Sequence, residues 1–489
     1  MLAKKEPKEE EKQLGITVKK DKDFSEWYTQ VIQRAGLIEY TDVSGCMIIR
    51  PYAYAMWERF QEWFNARIKA MGVSNAYFPL FIPEKLFMKE TKHVEGFSPE
   101  VAWVTMGGHT KLPERLAIRP TSETIMYDAY SKWVKSWRDL PLKINQWCNV
   151  VRWEFKHPVP FLRTREFLWQ EGHTVHATQE SADKEAHQIL ELYAQAYEEL
   201  FAIPVIKGKK SEKEKFAGAN YTLSLETFLP VGKAIQCCTS HSLGQNFAKP
   251  FNIQYLDEKG KKQYAWQNSW GFTTRSIGIM TMFHGDDKGL VLPPAIAPIK
   301  AVIIPIVFDE TKAKVLAAAE KLHKTLQKEM PVHLDDRDGY TPGWKFNEWE
   351  MKGVPVRIEI GPKDLEKNQA VLVRRDTGEK KTVAIAEIQK TLPKILQDIQ
   401  KNLYSKAKKF LESSITEVKD WDGFMNAIQN KKLVKAYWCA NEECEDWIKD
   451  KSGGAKSINI PFDQPSRITS TCVQCGKPAK VIAYFAKSY

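Results

Sequence analysis

The sequence predicts a three-domain chain: an α+β domain organised around an antiparallel hairpin, an α/β domain with a mixed sheet, and a small metal-binding α+β domain. Three observations carry this. Residues 150–176, VVRWEFKHPVPFLRTREFLWQEGHTVH, read as two strands joined by a loop. Residues 300–375 alternate apolar strand runs with helical runs, the mark of an α/β layer. Four of the eight cysteines form two close pairs near the end of the sequence. A length of 489 residues is enough for about three domains.

In the first strand of the hairpin, period 2 puts Val151, Trp153 and Phe155 on one face and Arg152, Glu154 and Lys156 on the other. His157-Pro158-Val159-Pro160 ends the ladder, because proline has no N–H. The chain returns through Arg163, Thr164 and Arg165, after which Phe167, Trp169, Glu171 and His173 share a face. Guanidinium forks suit phosphate and carboxylate oxygens. An aromatic ring stacks on a flat base, and a strand-borne Glu accepts from an exocyclic amine. The stretch reads as a nucleotide site with a smaller pocket beside it, or as a solvated hairpin whose charges face water.

Lys+Arg of 72 against Asp+Glu of 61 gives a net charge of +11, which suits a polyanionic partner such as RNA without establishing one. No window reaches about 18 uninterrupted apolar residues, which excludes a helical membrane span. Residues 1–20 are charged, with no apolar stretch of a secretory signal and no Arg of a transit peptide. They read as a disordered tail or a solvated helix end. Cys46, Cys148, Cys237 and Cys238 have no ligand spacing and read as ordinary thiols in a cytosolic, reducing setting.

Residues 51–71 carry the strongest helical signal, with Met56, Trp57, Phe60, Trp63, Phe64, Ile68 and Met71 at three- and four-residue spacing. Pro51 suits the first turn and Gly72 the stop. So broad a stripe is buried, in the core or partly against another subunit. A strand is expected over 76–81, interrupted by Pro79. Arg119-Pro120-Thr121-Ser122-Glu123-Thr124 precedes a helix over 125–137, where Thr or Ser as cap and Glu in the first turn are a complete explanation by themselves. A helix follows over 180–201. Gln236, Thr239 and His241 interrupt an apolar strand, and strict alternation does not put Gln236 and Thr239 on one face. Ser269 to Arg275 leads into an apolar helix through Phe283. Gly271 permits close backbone approach, and an arginine at a helix start is a natural anion site or an ordinary surface charge.

Pro293-Pro294-Ala295-Ile296-Ala297-Pro298 marks a boundary. Strands over 300–308, 332–334, 356–360 and 370–375 and helices over 311–328 and 343–352 follow, and a basic helix over 390–411 leads to the last domain. There Cys439 and Cys444 make C-x4-C and Cys472 and Cys475 make C-x2-C, with 27 residues between the pairs. Four thiolates in two pairs suit a closed, structural zinc site, and two disulfides or idle thiols are the alternatives.

Together these motifs make the sequence resemble the prolyl-tRNA synthetases of the archaeal/eukaryotic type, which are class II aminoacyl-tRNA synthetases. The resemblance runs from about Asp23 to Tyr489. The helix at Pro51 and the segment with Pro79 resemble class II motif 1, which builds the family's dimer. Residues 150–176 resemble motif 2, and 271–283 resemble motif 3. Arg119-Pro-Thr-Ser-Glu-Thr124 and Trp169-Gln-Glu-Gly-His173 point to the proline enzyme, and the cysteine region ending Lys487-Ser488-Tyr489 points to this type.

The resemblance implies a catalytic domain over 21–292 built on an antiparallel sheet, an anticodon-binding domain over 296–400 and a zinc-binding domain over 401–489. It implies catalytic roles for Arg152 and Arg275. ATP would meet Arg152, Glu154, Arg163, Thr164, Phe167, Gln236, Thr239, Thr273 and Arg275, with Gln236 acting through magnesium. Proline would meet Thr121, Glu123, Arg152, Trp169, His173, Phe216 and His241. The implied activity is ATP-dependent ligation of L-proline to tRNA(Pro) through prolyl-adenylate, by a cytoplasmic homodimer with one structural zinc per chain. About sixty residues separate motif 2 from Gln236, too few for an inserted editing domain. A class II enzyme for another amino acid, such as threonine, is the alternative; a threonine enzyme of the usual family pattern would carry a metal site in the catalytic pocket, and no Cys/His set here matches that. A non-catalytic tRNA-binding relative would have lost Arg152, Glu154 or Arg275, and all three are present.

Overall fold

The computed structural model describes residues 15–93, 100–155 and 157–489, so Lys156 and most of the charged N-terminal stretch lie outside the described residues. Among the described residues two compact units are present: those up to residue 37 with 284–292 and 299–396 form one, and those of 38–283, 293–298 and 397–489 form the other.

The larger unit is built on an eleven-stranded sheet. Its centre runs Tyr221–Leu229, Lys233–Gly244, Trp266–Thr273, Glu166–His176, Leu142–Val151, all antiparallel. The hairpin is present, with Leu142 opposite Val175 and Val151 opposite Glu166. Its first strand ends at Val151, however, and Trp153 and Glu154 sit in a turn. The expected alternation of Trp153, Phe155 and Glu154 over two strand faces is therefore not formed. Trp153 is instead exposed and stacked under Arg165, 4.5 Å from ring centre to guanidinium.

One face of this sheet is covered by aromatic packing. The helix Pro51–Ala70 starts on proline and is followed by Gly72 at φ +81°, the left-handed stop. Phe60 stacks on Phe272 at 4.0 Å, and Phe64 on Tyr193 of the helix Gln179–Glu199 at 5.2 Å. The broad apolar stripe is thus used inside this chain. The strand expected over 76–81 is two short pieces: Ser74–Asn75 pairs with 144–145, and Phe81–Pro83 pairs with 116–118. Pro79 falls in the break, where no ladder bond is needed.

The strands after residue 414 extend the same sheet. Ile460 and Pro461 pair with Lys209 and Gly208, so Ala455–Pro461, Val481–Lys487, Leu433–Trp438 and Ile415–Val418 continue outward from Ile206–Lys209. Gly208 has no room for a side chain, since a Cβ there would sit 2.4 Å from the Ile460 carbonyl oxygen.

The smaller unit holds a five-stranded sheet ordered Val332–Leu334, Ala301–Pro305, Val356–Ile360, Gln369–Arg374, Lys380–Ala384. The first three strands are parallel and the last two pairings antiparallel, a mixed sheet as the alternation predicts. Helices Lys312–Leu326 and Pro342–Met351 pack on it. In the same unit Asp286 accepts two hydrogen bonds from Arg375, at 2.6 and 2.7 Å. Lys20 is fixed there too, donating to the Gly285 carbonyl at 2.6 Å, so the last residue of the expected tail is held in the fold.

Candidate active site

The central strands of the larger unit enclose a cavity of about 310 Å³. Thr121, Glu123, Arg152, Arg163, Thr164, Phe167, Trp169, His173, Phe216, Gln236, Thr239, His241, Thr273 and Arg275 all line it. Glu154 does not; it lies exposed in the turn after Val151.

Several local features bring these residues together. Period 2 on Glu166–His176 turns Phe167, Trp169, Glu171 and His173 toward the cavity. On Lys233–Gly244 the alternation is reset by a β-bulge: Gln236 pairs with Glu226 and Cys238 with Leu225, leaving Cys237 as the extra residue. The bulge is what puts Gln236, Thr239 and His241 on one face. Cys237 and Cys238 are buried thiols, with burial pushing both well up from the ordinary value. Gly271 lines the cavity but is not a tight approach, since a Cβ there meets nothing closer than 3.5 Å. The crowded glycine is Gly172, whose Cβ would fall 2.2 Å from the Trp270 ring.

The 119–124 segment is not spent on capping. Ser122 stands at the N-cap of Glu123–Trp133 with no side-chain cap bond, and its hydroxyl donates to Glu171. Thr121 donates to Glu123, which is 4% exposed despite its place in the first helical turn. Arg119 supports the turn from beneath, donating to the Phe78 carbonyl at 2.7 Å and the Asn149 carbonyl at 2.8 Å.

A buried carboxylate–imidazole pair forms the floor. Glu171 and His173 are each 1% exposed, with His173 Nε2 3.0 Å from the carboxylate. Gln146 donates to Glu171 at 3.1 Å, and Tyr127 meets His173 Nδ1 at 3.0 Å. Burial pushes the Glu171 carboxyl up, but His173, Ser122 and Gln146 outweigh it and hold the carboxyl below its ordinary value. Burial pushes His173 down, but Glu171 and Glu123 raise it above its ordinary value. His241 behaves oppositely. Burial first, then the positive charges of His173 and Arg152, push it down to about 3, so it is a neutral imidazole held by Thr222 and Thr239 at 2.9 Å each. Sequence reasoning placed Glu171 on the right face and gave it no role. Its signal was the shared period with His173.

Arg152 and Arg275 are held by carbonyls and not by carboxylates. Arg152 Nε donates to the Pro120 carbonyl at 3.1 Å, and Arg275 donates to the carbonyls of Leu162 and Gln236, each at 3.1 Å. Arg275 opens the helix Arg275–His284, where the helix dipole adds to its positive field. This arrangement is suited to holding phosphate oxygens.

Away from the cavity, the sulfurs of Cys439, Cys444, Cys472 and Cys475 all lie within 4.8 Å of one another. The Cys444–Cys472 and Cys439–Cys475 separations are 3.7 Å. A Zn–S bond of about 2.3 Å sets tetrahedral edges of about 3.8 Å, so the geometry fits a four-thiolate metal site. The hydrogen bond from Cys444 pulls the Cys472 thiol down against burial, with help from backbone N–H groups of Cys475, Gln474 and Cys439.

Residues 104–283 match the class II tRNA synthetase core domain (G, H, P, S and T), 300–395 the anticodon binding domain, and 421–489 the prolyl-tRNA synthetase C-terminal domain. The cytoplasmic proline-tRNA ligase of Arabidopsis thaliana is 51% identical over 494 residues, covering 99% of this chain and 93% of that protein. The chain belongs to the proline-tRNA ligase family. Its relative in Natranaerobius thermophilus, also a proline-tRNA ligase, is 50% identical over 470 residues, 96% of each chain. The bifunctional glutamate/proline-tRNA ligase of Mus musculus is 50% identical over 500 residues, which are 97% of this chain and 33% of that protein. The family match accounts for the antiparallel class II sheet and for the cysteine-bearing C-terminal region. Among the described residues no helix is long and apolar enough to cross a membrane.

Proposed function

We infer that this chain activates L-proline with ATP and transfers it to tRNA(Pro), as a proline-tRNA ligase. The observation that supports this most is the single cavity lined by Thr121, Glu123, Arg152, His173, His241 and Arg275 in a chain matching proline-tRNA ligases over nearly its whole length. In this reading Glu123 and Thr121 accept the two N–H groups of the charged imino acid, while Trp169, His173, Phe216 and the neutral His241 close round the ring. Phe167 stacks on adenine. Arg152 holds the α-phosphate beside the proline carboxylate, and Arg163, Thr164, Thr239, Thr273 and Arg275 hold the rest of the nucleotide. Glu154, exposed in its turn, meets adenine only if that turn closes over the base.

The proline carboxylate attacks the α-phosphorus in line, the bridging P–O bond breaks, and pyrophosphate leaves. Positioning and charge stabilisation by Arg152 and Arg275 carry the step. Magnesium, held by ATP oxygens with the Gln236 amide as an oxygen donor from the chain, would neutralise phosphate charge. The tRNA 3′-terminal ribose hydroxyl then attacks the adenylate carbonyl, and AMP leaves. The 300–395 region contributes the anticodon contact. The four cysteines hold a structural zinc remote in sequence from the reacting groups.

The active form in this reading is a cytoplasmic homodimer. Tyr54, Tyr77 and Phe81 are exposed in the segment resembling motif 1, Tyr77 by 71%, and Tyr40 and Ile48 are exposed just before it, which supports a covered face there. Charging of a tRNA(Pro) transcript with labelled proline, against labelled threonine, tests the activity. Proline-only charging supports it, and threonine charging or none overturns it.

A further inference from the structure

A second cavity, of about 220 Å³, adjoins the first in the same unit and shares Arg163, Gln236 and Arg275 with it. Its other side is built from Lys210, Lys456, Glu214 and Glu226. Lys210 is 4% exposed, lies 2.6 Å from Glu226 Oε1 and donates to the Ile458 carbonyl at 2.7 Å. An ammonium has three donors, so these two partners leave one N–H for a ligand. Lys456 lies 2.5 Å from Glu214, and both side chains are partly exposed, 30% and 24%. Four cationic side chains, Arg163, Lys210, Arg275 and Lys456, therefore face two acidic ones, Glu214 and Glu226, with Ser488 and Tyr489 also in the lining, on the side of the active cavity where Arg275 and Gln236 stand.

We propose that this second cavity receives the pyrophosphate released on proline activation, with Lys456 exchanging Glu214 for a phosphate oxygen and Lys210 binding from the far wall. The inference rests on the function proposed above. A partly exposed ion pair costs little to open, and a phosphate group offers Lys456 a charge-assisted partner of higher negative charge. Glu214 also lines the active cavity, so its carboxylate stands where the anion passes and opposes its staying. Lys456 belongs to the strand Ala455–Pro461, so the C-terminal region supplies part of the leaving-group site.

The test is proline-dependent ATP–pyrophosphate exchange, with KM measured separately for pyrophosphate, ATP and proline. Lys456→Ala should raise the pyrophosphate KM roughly tenfold, as for losing one charged hydrogen bond, with ATP and proline KM nearly unchanged. Lys456→Arg should restore it. Glu214→Gln should move the pyrophosphate KM the other way. If Lys456 and Glu214 only pin the turn beneath Phe216, both substitutions raise the proline KM, and the proposal fails. It also fails if the pyrophosphate KM of Lys456→Ala equals that of the unsubstituted protein. Absence of proline-dependent exchange in the unsubstituted protein would overturn the proposed function itself and this inference with it.

Discussion

Replacing Glu171 by Gln tests the buried pair at the floor of the site. The two side chains have nearly the same shape, so the cavity is unchanged. The Gln oxygen still accepts from Ser122 and Gln146, the donors now on Glu171. What is lost is the negative charge 3.0 Å from His173 Nε2. An imidazolium 1% exposed then has no adjacent countercharge, with Glu123 the remaining acidic influence. Breaking a buried pair by removing one partner costs about 3–5 kcal/mol. His173 reduces that loss by giving up its proton, so about 3 kcal/mol at neutral pH is the expected cost. The pH dependence is sharper evidence than the size. His173 is raised above its ordinary value, so its share of stability is complete below about 6.5 and is lost as pH rises through the raised value. Glu171 is lowered, so its share is present above about 4.5 and is lost as pH falls below that. Urea unfolding between pH 5 and 9 should show the unsubstituted protein losing stability on the alkaline side, and Glu171→Gln should be weaker near neutrality with that slope flattened. Equal stability and the same alkaline slope in both proteins would refute an ionised Glu171–His173 pair.

Three further substitutions follow. Arg275→Ala should slow adenylate formation by about 10²-fold or more, the range for losing one preorganised donor, and exchange within a few-fold of the unsubstituted rate would remove Arg275 from the phosphate site. Glu123→Gln should cost about 2–5 kcal/mol in proline activation with ATP affinity unmoved; a lower melting temperature with normal proline kinetics would make Glu123 a helix-start residue only. Cys472→Ser should abolish metal binding by the four-cysteine cluster and destabilise the C-terminal strands, because metal binding is folding energy in such sites. One zinc per chain by elemental analysis, with unchanged melting, would contradict that.

Local pattern carried much of this structure. The period of Phe167, Trp169, Glu171 and His173 fixed one wall of the cavity, and the two cysteine pairs marked the four sulfurs that cluster. What was not legible depended on pairing between distant strands. Alternation separated Gln236 from Thr239, and only the register against Tyr221–Leu229 shows the bulge at Cys237 that reunites them. Pattern also carried the first hairpin strand past Val151, where the chain turns and takes Glu154 out of the cavity lining. Ser122 and Thr121 have the chemistry of caps, and a capping reading was sufficient until Glu171 and Glu123 were seen within reach of their hydroxyls. The union of 206–209 with 455–461 lies beyond any local signal, because it joins segments some 250 residues apart in one ladder.

The central claim is that one cavity reads proline and activates it. Pyrophosphate exchange with each of the twenty amino acids, at equal concentration and saturating ATP, tests it most directly. The account predicts the strongest exchange with proline, because primary amines also offer N–H donors to Glu123 and Thr121, and it is the fit of the ring among Trp169, His173, Phe216 and His241 that separates them, by about 10–200-fold for each methylene-sized difference. Exchange driven as strongly by threonine or alanine as by proline would contradict it.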